Sequence, residues 1–245
     1  MTDQPLALTV EQGLHAEQEL LAAVCRGERD SGVLFWRPTD HALVMPRRMS
    51  RLDNFEAACS ELAIAGWPVL LRETGGEPVP QSHSTVNVAL VYVAPRSEGD
   101  HGRIENAYER LCLPLCDVLR EWGGVASVGE IDGAFCDGRY NVNLNGRKLV
   151  GTAQRWRQGL GGKRPVVLVH GALLLDNDGS RWWRRSTASM NAATWSNAAA
   201  PTRTSPCMKW HPRRPGSSAC QRLTPRCWRT CPKTSGYRRP PWSCP

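Results

Sequence analysis

Residues 1–180 of this 245-residue chain predict an α+β fold, a mixed and mostly antiparallel β-sheet with packed helices. Three observations carry the prediction. Apolar residues recur at steps of three and four in three separate segments, the period of an amphipathic helix. Short β-rich runs lie between them without the strict βαβ alternation of a doubly wound sheet. An Asn145-Gly146 pair also stands between two strand-like runs, and such a pair tolerates the positive φ angles of a tight hairpin turn.

The elements follow in order. In EQGLHAEQELLAAVCRGE, Leu14, Leu21, Val24 and Cys25 share one helical face with charges between them. GVLFWRP and HALVMP, separated by Thr39-Asp40, read as a strand pair. Leu52, Phe55, Cys59 and Leu62 give a second helix, with Gly66 at the C-cap position. WPVLLRETGGEPVPQSHSTVNVALVYV then reads as strand, Gly/Pro-rich loop, strand. A third helix carries Ile104, Tyr108, Leu111, Leu115, Val118 and Trp122, with a kink expected at Pro114. The hairpin at 141–154 follows, and RPVVLVHGALLLD closes the ordered part as a strand.

The formal charge of +8 is unevenly placed. Residues 181–245 hold 13 Lys and Arg and no Asp or Glu, which leaves residues 1–180 with a net charge of −5. The same 65 residues have no Val, Ile or Phe, one leucine (Leu223), nine prolines, six tryptophans and five cysteines: Cys207, Cys220, Cys227, Cys231 and Cys244. Such a composition cannot bury enough aliphatic surface to offset chain entropy. Two explanations are open: a disordered basic arm for an anionic partner, and a stretch translated out of frame from GC-rich DNA, which the complete lack of Asp, Glu, Val and Ile favours. The expected organisation is an incomplete catalytic domain over 1–180 and this segment over 181–245. The cysteine spacing lacks a C-x-x-C pair and a following histidine pair, so a zinc site is not expected. No apolar run reaches 18 residues and the N-terminus has no secretion pattern, so the expectation is a cytoplasmic protein with reduced thiols and no membrane partner.

The hairpin raises the functional question, because Lys148 lies inside a strand. A two-residue turn at 145–146 pairs Leu144 with Arg147, Asn143 with Lys148, Val142 with Leu149 and Asn141 with Val150. Directly opposed residues share a face, so Lys148 belongs with Asn143 and Asn141 on a polar side of the sheet.

Around it, the blocks LLRETGGEPV, VNVAL, CDGRYNVNLNGRKLVGTAQRWR and VLVHGALLLD occur in order over residues 10–178. Together they resemble the lipoate–protein ligase and octanoyltransferase family, relatives of biotin–protein ligase. The resemblance implies that family's catalytic fold and protein-lysine acyl transfer in lipoate metabolism. It assigns Lys148 of the GRKxxGxAQ block to the acyl carbonyl. It assigns Arg72, Thr74, Gly75 and Gly76 to a loop around the acyl group, and Asn87, Gly146, Gly151, Gln154 and His170 to the substrate site. A fixed cation is suited to the negative charge an acyl transfer develops on oxygen, and a Gly-Gly pair lets backbone approach a ligand closely.

Cys136 lies 12 residues before Lys148, where the octanoyl-transferring members similar to this chain carry a nucleophilic thiol. The resemblance therefore implies transfer through a Cys136 thioester, with no cofactor and with octanoate or lipoate as the acyl group. Its partners would be lipoyl domains of 2-oxoacid dehydrogenases and either the glycine cleavage H protein or an acyl carrier protein. The alternative is an ATP- and Mg-dependent lipoate–protein ligase; Glu77-Pro78 after the Gly-Gly pair places a carboxylate where it would repel phosphate. A non-enzyme alternative is nucleic-acid binding through the basic segment, the less favoured reading. A hydrolase is set aside because no G-x-S-x-G elbow exists, and GLGGKR lacks the spacing and the Ser/Thr of a phosphate loop.

Overall fold

Thr9 and Gln12 start the first helix by capping each other. The Gln12 backbone N–H donates to Thr9 Oγ1 (3.2 Å) and the Thr9 N–H donates to Gln12 Oε1 (3.0 Å). The helix, α1, spans Val10–Arg26 and ends on Gly27, whose φ of 79° is the left-handed conformation that glycine adopts without penalty. The computed structural model describes residues 4–96, 98, 102–131, 134, 138–162 and 164–175. Cys136, the end of the predicted catalytic domain and all of 181–245 lie outside the described residues.

Ten strands and three α-helices are described. β1 (Leu6–Leu8), β2 (Ser31–Pro38), β6 (Thr85–Val93), β7 (Ala126–Val128), β8 (Val142–Leu144), β9 (Arg147–Gln158) and β10 (Pro165–Leu174) form one sheet in the order β1-β2-β6-β10-β9-β8-β7. Only the β1–β2 pairing in it is parallel. β3 (Ala42–Pro46), β4 (Val69–Arg72) and β5 (Val79–Gln81) form a second sheet in the order β4-β3-β5. The α+β class and the mostly antiparallel sheet are as expected from the sequence.

Burial divides the large sheet into two faces. α3 (Arg103–Glu121) covers one, packing Leu111, Leu115 and Val118 on Val86, Val88, Leu90, Val167 and Val169. It passes through Pro114 as one helix. α1 covers the opposite face, where Leu21 and Val24 meet Ala89, Val91, Val166 and Leu168. The small sheet stands beside α1: Val10, Trp36, Ala42 and Val44 make a third core cluster, and Leu43, Met45, Met49 and Leu62 bring α2 (Phe55–Ile64) against it. No helix among the described residues is long and apolar enough to cross a membrane.

Three sequence expectations are corrected. The runs predicted as a strand pair, β2 and β3, lie in different sheets: β2 pairs with β6, and β3 with β4 and β5. All five β3 residues are buried, so no alternation betrayed which sheet it joined. Leu52 precedes α2 instead of lying on it and is exposed. The hairpin carries a β-bulge: Asn143 faces Lys148 as expected, but Val142 faces Val150 where Leu149 was predicted.

The described cysteines, Cys25, Cys59, Cys112 and Cys116, are free thiols. Burial inside α3 pushes the Cys112 thiol up to about 12 and the Cys116 thiol up to about 11. We expect neither to be alkylated by iodoacetamide at pH 8 in the native protein, and both to react once denaturant unfolds it. Their folded pKa values lie above the ordinary 9.0, so their contribution to stability is complete below about pH 9 and is lost as the pH rises from there. Thermal melts between pH 8 and 11 should show that decline, and a Cys112→Ala/Cys116→Ala protein should show less of it.

Candidate active site

The turn that delivers Lys148 has the required geometry, with φ of 50° at Asn145 and 73° at Gly146. Asn145 is clamped to the segment before β7 by its N–H to the Val125 carbonyl (2.8 Å) and by the Val125 N–H to its Oδ1 (2.9 Å). The bulge then sets which way the amine points. Strict alternation would place residues 148, 150 and 152 on one face. With Leu149 as the additional residue, Val150 turns into the α3 core, and Lys148 and Gly151 share the opposite face. A Cβ at Gly151 would stand 3.6 Å from Lys148 Cε and 3.8 Å from Nζ, so the lysine stem lies across this glycine.

Lys148 and Gly151 line a mostly apolar cavity of about 340 Å³. Gly76, Asn87 and His170 line it too, together with Leu14, Trp36, Val44 and Leu174. Ala134 and Gly138, each two residues from Cys136, are also in its lining. Tyr108 of α3 and Tyr140 stack at 4.3 Å between ring centroids beside it.

The R-x-T-G-G loop is shaped by its arginine. Arg72 is almost fully buried and donates to three backbone carbonyls: Val44 (2.9 Å), Gly75 (2.7 Å) and Glu77 (2.8 Å). Arg48 adds a bond to the Gly76 carbonyl (2.7 Å) and pairs with Glu77 (3.2 Å). Gly76 has a φ of 95°, and a Cβ there would come within 3.0 Å of Arg72 Nη2. Both counts call for glycine. Behind it, Glu73 pairs with Arg47 and with Arg155 of β9, and the Arg47 hydrogen bond holds its carboxyl below the usual range.

The remaining expected residues divide. Asn87 forms a reciprocal amide pair with Gln81 in the cavity wall, at 2.9 and 3.1 Å. Thr74 is buried and meets His170 Nε2 through Oγ1 (2.9 Å), and His170 Nδ1 meets Glu17 Oε2 (2.7 Å). Gly75 and Gly146 are not in the cavity lining; Gly75 supports the loop and Gly146 makes the hairpin turn. Gln154 also lies outside the lining and holds the start of α3, donating to the Ile104 carbonyl (3.1 Å) while Trp156 Nε1 donates to it (2.7 Å). Asn141, expected on the Lys148 side of the sheet, lines the cavity, whereas Glu17 and Tyr140 were not anticipated. For Glu17 the signal was present: positions 14, 17, 21 and 24 are one helical stripe, and a carboxylate stands among its leucines and valine.

Fold and cavity define the class: an α+β domain in which a central sheet and a glycine loop enclose a largely apolar cavity with a lysine in its wall. The sequence model of the lipoyl protein ligase A/B catalytic domain matches residues 9–207, and the chain belongs to that family. A protein of Kyrpidia tusciae named octanoyl-[GcvH]:protein N-octanoyltransferase is 38% identical over 169 residues, covering 67% of this chain and 57% of that protein. An uncharacterized protein of Cupriavidus necator is 37% identical over 144 residues, 55% of this chain and 56% of that one. The chain thus spans little more than half the length of these curated relatives. Among solved structures, Ta0514 of T. acidophilum with bound lipoic acid superposes with a TM-score of 0.54 at 17% identity, over 74% of this chain and 71% of that one. A lipoate-protein ligase A bound with ATP gives 0.53 at 14%, over 80% and 79%. At these identities the two structures show the fold.

Proposed function

We propose that this chain moves an octanoyl or lipoyl group onto a lysine of a lipoyl domain by way of a thioester on Cys136, in the cytoplasm. The observation that carries the reading is the amine of Lys148, laid across Gly151 into a cavity whose volume lies in the range of small-molecule sites, roughly 300–1,000 Å³. The cavity's apolar walls suit an acyl chain. Ala134 and Gly138, the described residues on either side of Cys136 in the sequence, are in its lining, and the relatives named as octanoyltransferases support the direction of the chemistry.

The Cys136 thiolate would attack the acyl carbonyl of the carrier, forming its own C–S bond and releasing the thiol of an acyl carrier protein thioester or, from an octanoylated H protein, the lysine amine of the broken amide, which takes up a proton. Lys148 would stabilise the oxyanion of that step and of the next, in which the acceptor amine forms the amide and Cys136 leaves. Glu77 lies in the cavity wall with its carboxylate paired to Arg48.

The test mixes the full chain with octanoylated H protein or acyl carrier protein and an apo lipoyl domain, with and without ATP and Mg²⁺. Transfer without ATP, and its loss in Cys136→Ala, is expected. Lipoylation only from free acid with ATP would make the chain a ligase, and full transfer by Cys136→Ala would remove the thioester.

A further inference from the structure

We propose that Glu17 is a positioning residue of this active site: a buried relay from Trp36 through Glu17 and His170 to Thr74 keeps the His170 proton on Nδ1 and holds the glycine loop against the acyl cavity. The inference rests on the acyl-transfer reading.

Glu17 is 2% exposed, and a carboxylate so buried persists only when its oxygens are partnered. Both are. Trp36 Nε1 donates to Oε1 (2.9 Å), and Oε2 meets His170 Nδ1 (2.7 Å). A carboxylate oxygen can only accept, so the bond to Oε2 is made by a proton on Nδ1. In the Nδ1–H tautomer Nε2 then accepts the Thr74 hydroxyl hydrogen, across 2.9 Å. Thr74 is the residue before Gly75, so the relay ties α1 and β10 to the loop that Arg72 and Arg48 shape from its carbonyl side.

The ring stands between two spaces. His170 and Glu17 line both the acyl cavity and a second cleft of about 240 Å³. The charged and titratable groups around these spaces are Glu17, Glu11 and His15 of α1, Arg72 of β4, Glu73 of the loop, Arg47 after β3, and Lys148 of β9 with Arg139, Glu77, Tyr108 and Tyr140 on the acyl side. Among them, Glu17 is the group in hydrogen-bond contact with the ring.

Glu17→Gln tests the relay without changing its volume, and the outcome is forced by donor counting. An indole N–H can only donate, so the amide oxygen must face Trp36 and the amide NH₂ must face His170. Nδ1 then has to accept, the proton moves to Nε2, and the bond to Thr74 reverses direction.

The experiment labels the full chain with ¹⁵N-histidine and assigns His170 by its loss in His170→Gln. The wild type should show the Nδ1–H tautomer and Glu17→Gln the Nε2–H tautomer. In transfer assays, Glu17→Gln should raise KM for the octanoylated carrier about tenfold with kcat within about threefold, the pattern of lost binding. Thr74→Val should reproduce that shift, and the double variant should be no worse than Thr74→Val alone. An unchanged tautomer, an unchanged KM, or a fall in kcat at constant KM would overturn the proposal. Should Glu17→Gln fail to fold, the Thr74→Val KM decides. Absence of transfer by the wild type would instead sink the acyl-transfer reading, and the relay is then judged by the tautomer reversal and by a tenfold fall in octanoate affinity.

Discussion

Replacing Lys148 by methionine should lower the rate of acyl transfer by two to three orders of magnitude while leaving the fold intact. The stem of lysine and that of methionine cover Gly151 alike, so the apolar contacts of the hairpin survive. What disappears is the cation. Removal of one preorganised oxyanion donor costs about 10²–10³ in kcat in sites of this kind. On the proposed mechanism, in which the amine meets developing charge and not the acyl chain, the loss should fall on kcat and kcat/KM together. Lys148→Arg should recover little, since a planar guanidinium cannot occupy the point position of an ammonium over Gly151. Single-turnover acylation of Cys136, followed by mass spectrometry, measures the step directly. Acylation at the wild-type rate in Lys148→Met would remove the lysine from the chemistry.

The second large effect is on stability, and it comes from a substitution that helix propensity alone would favour. Gly13 lies in the first turns of α1, where exchange for alanine ordinarily gains roughly 1 kcal/mol. Here a Cβ would stand 2.3–2.5 Å from three atoms of the Trp36 ring. The indole is fully buried and anchored to Glu17 by its N–H, so it can withdraw only by breaking that bond or crowding Val10 and Val44. Overpacking of this kind costs about 3 kcal/mol and exceeds the propensity gain. For a chain of this length the net penalty should lower Tm by on the order of 5 °C, read by calorimetry. The same shift disturbs the His170 relay, so KM for the acyl donor should rise in step. A Gly13→Ala protein that melts higher than wild type would mean that the ring has room to move.

How much of this was legible beforehand depended on whether the signal was local. The three helices were readable because each carries its own apolar stripe, and the turn at Asn145-Gly146 because its φ demands are written in two residues. The partners of β3 were not readable. A strand buried on every residue says nothing about which sheet takes it, and three-residue β5 was hidden in a loop rich in Gly and Pro. The site divides the same way. Lys148 and the Gly75-Gly76 loop stood out as residue types in a pattern, and the cavity joins Lys148 to Gly76. The Leu149 bulge did not stand out, since nothing in a run of Leu and Val distinguishes an additional residue from a paired one. Glu17 needed a different question, namely why an acid should occupy a core position of a helix, with an answer 153 residues away at His170.

The bulge on β9 has a consequence for how such sites are written in sequence. The rungs Asn143 with Lys148 and Val142 with Val150 stay consecutive whether or not Leu149 intervenes. One of the two positions between the amine and its glycine floor is therefore spare length, absorbed by a local fold in the ribbon. A lysine followed by two residues and a glycine, or by one residue and a glycine, builds the same wall, so spacing in this motif is elastic where the facing is not.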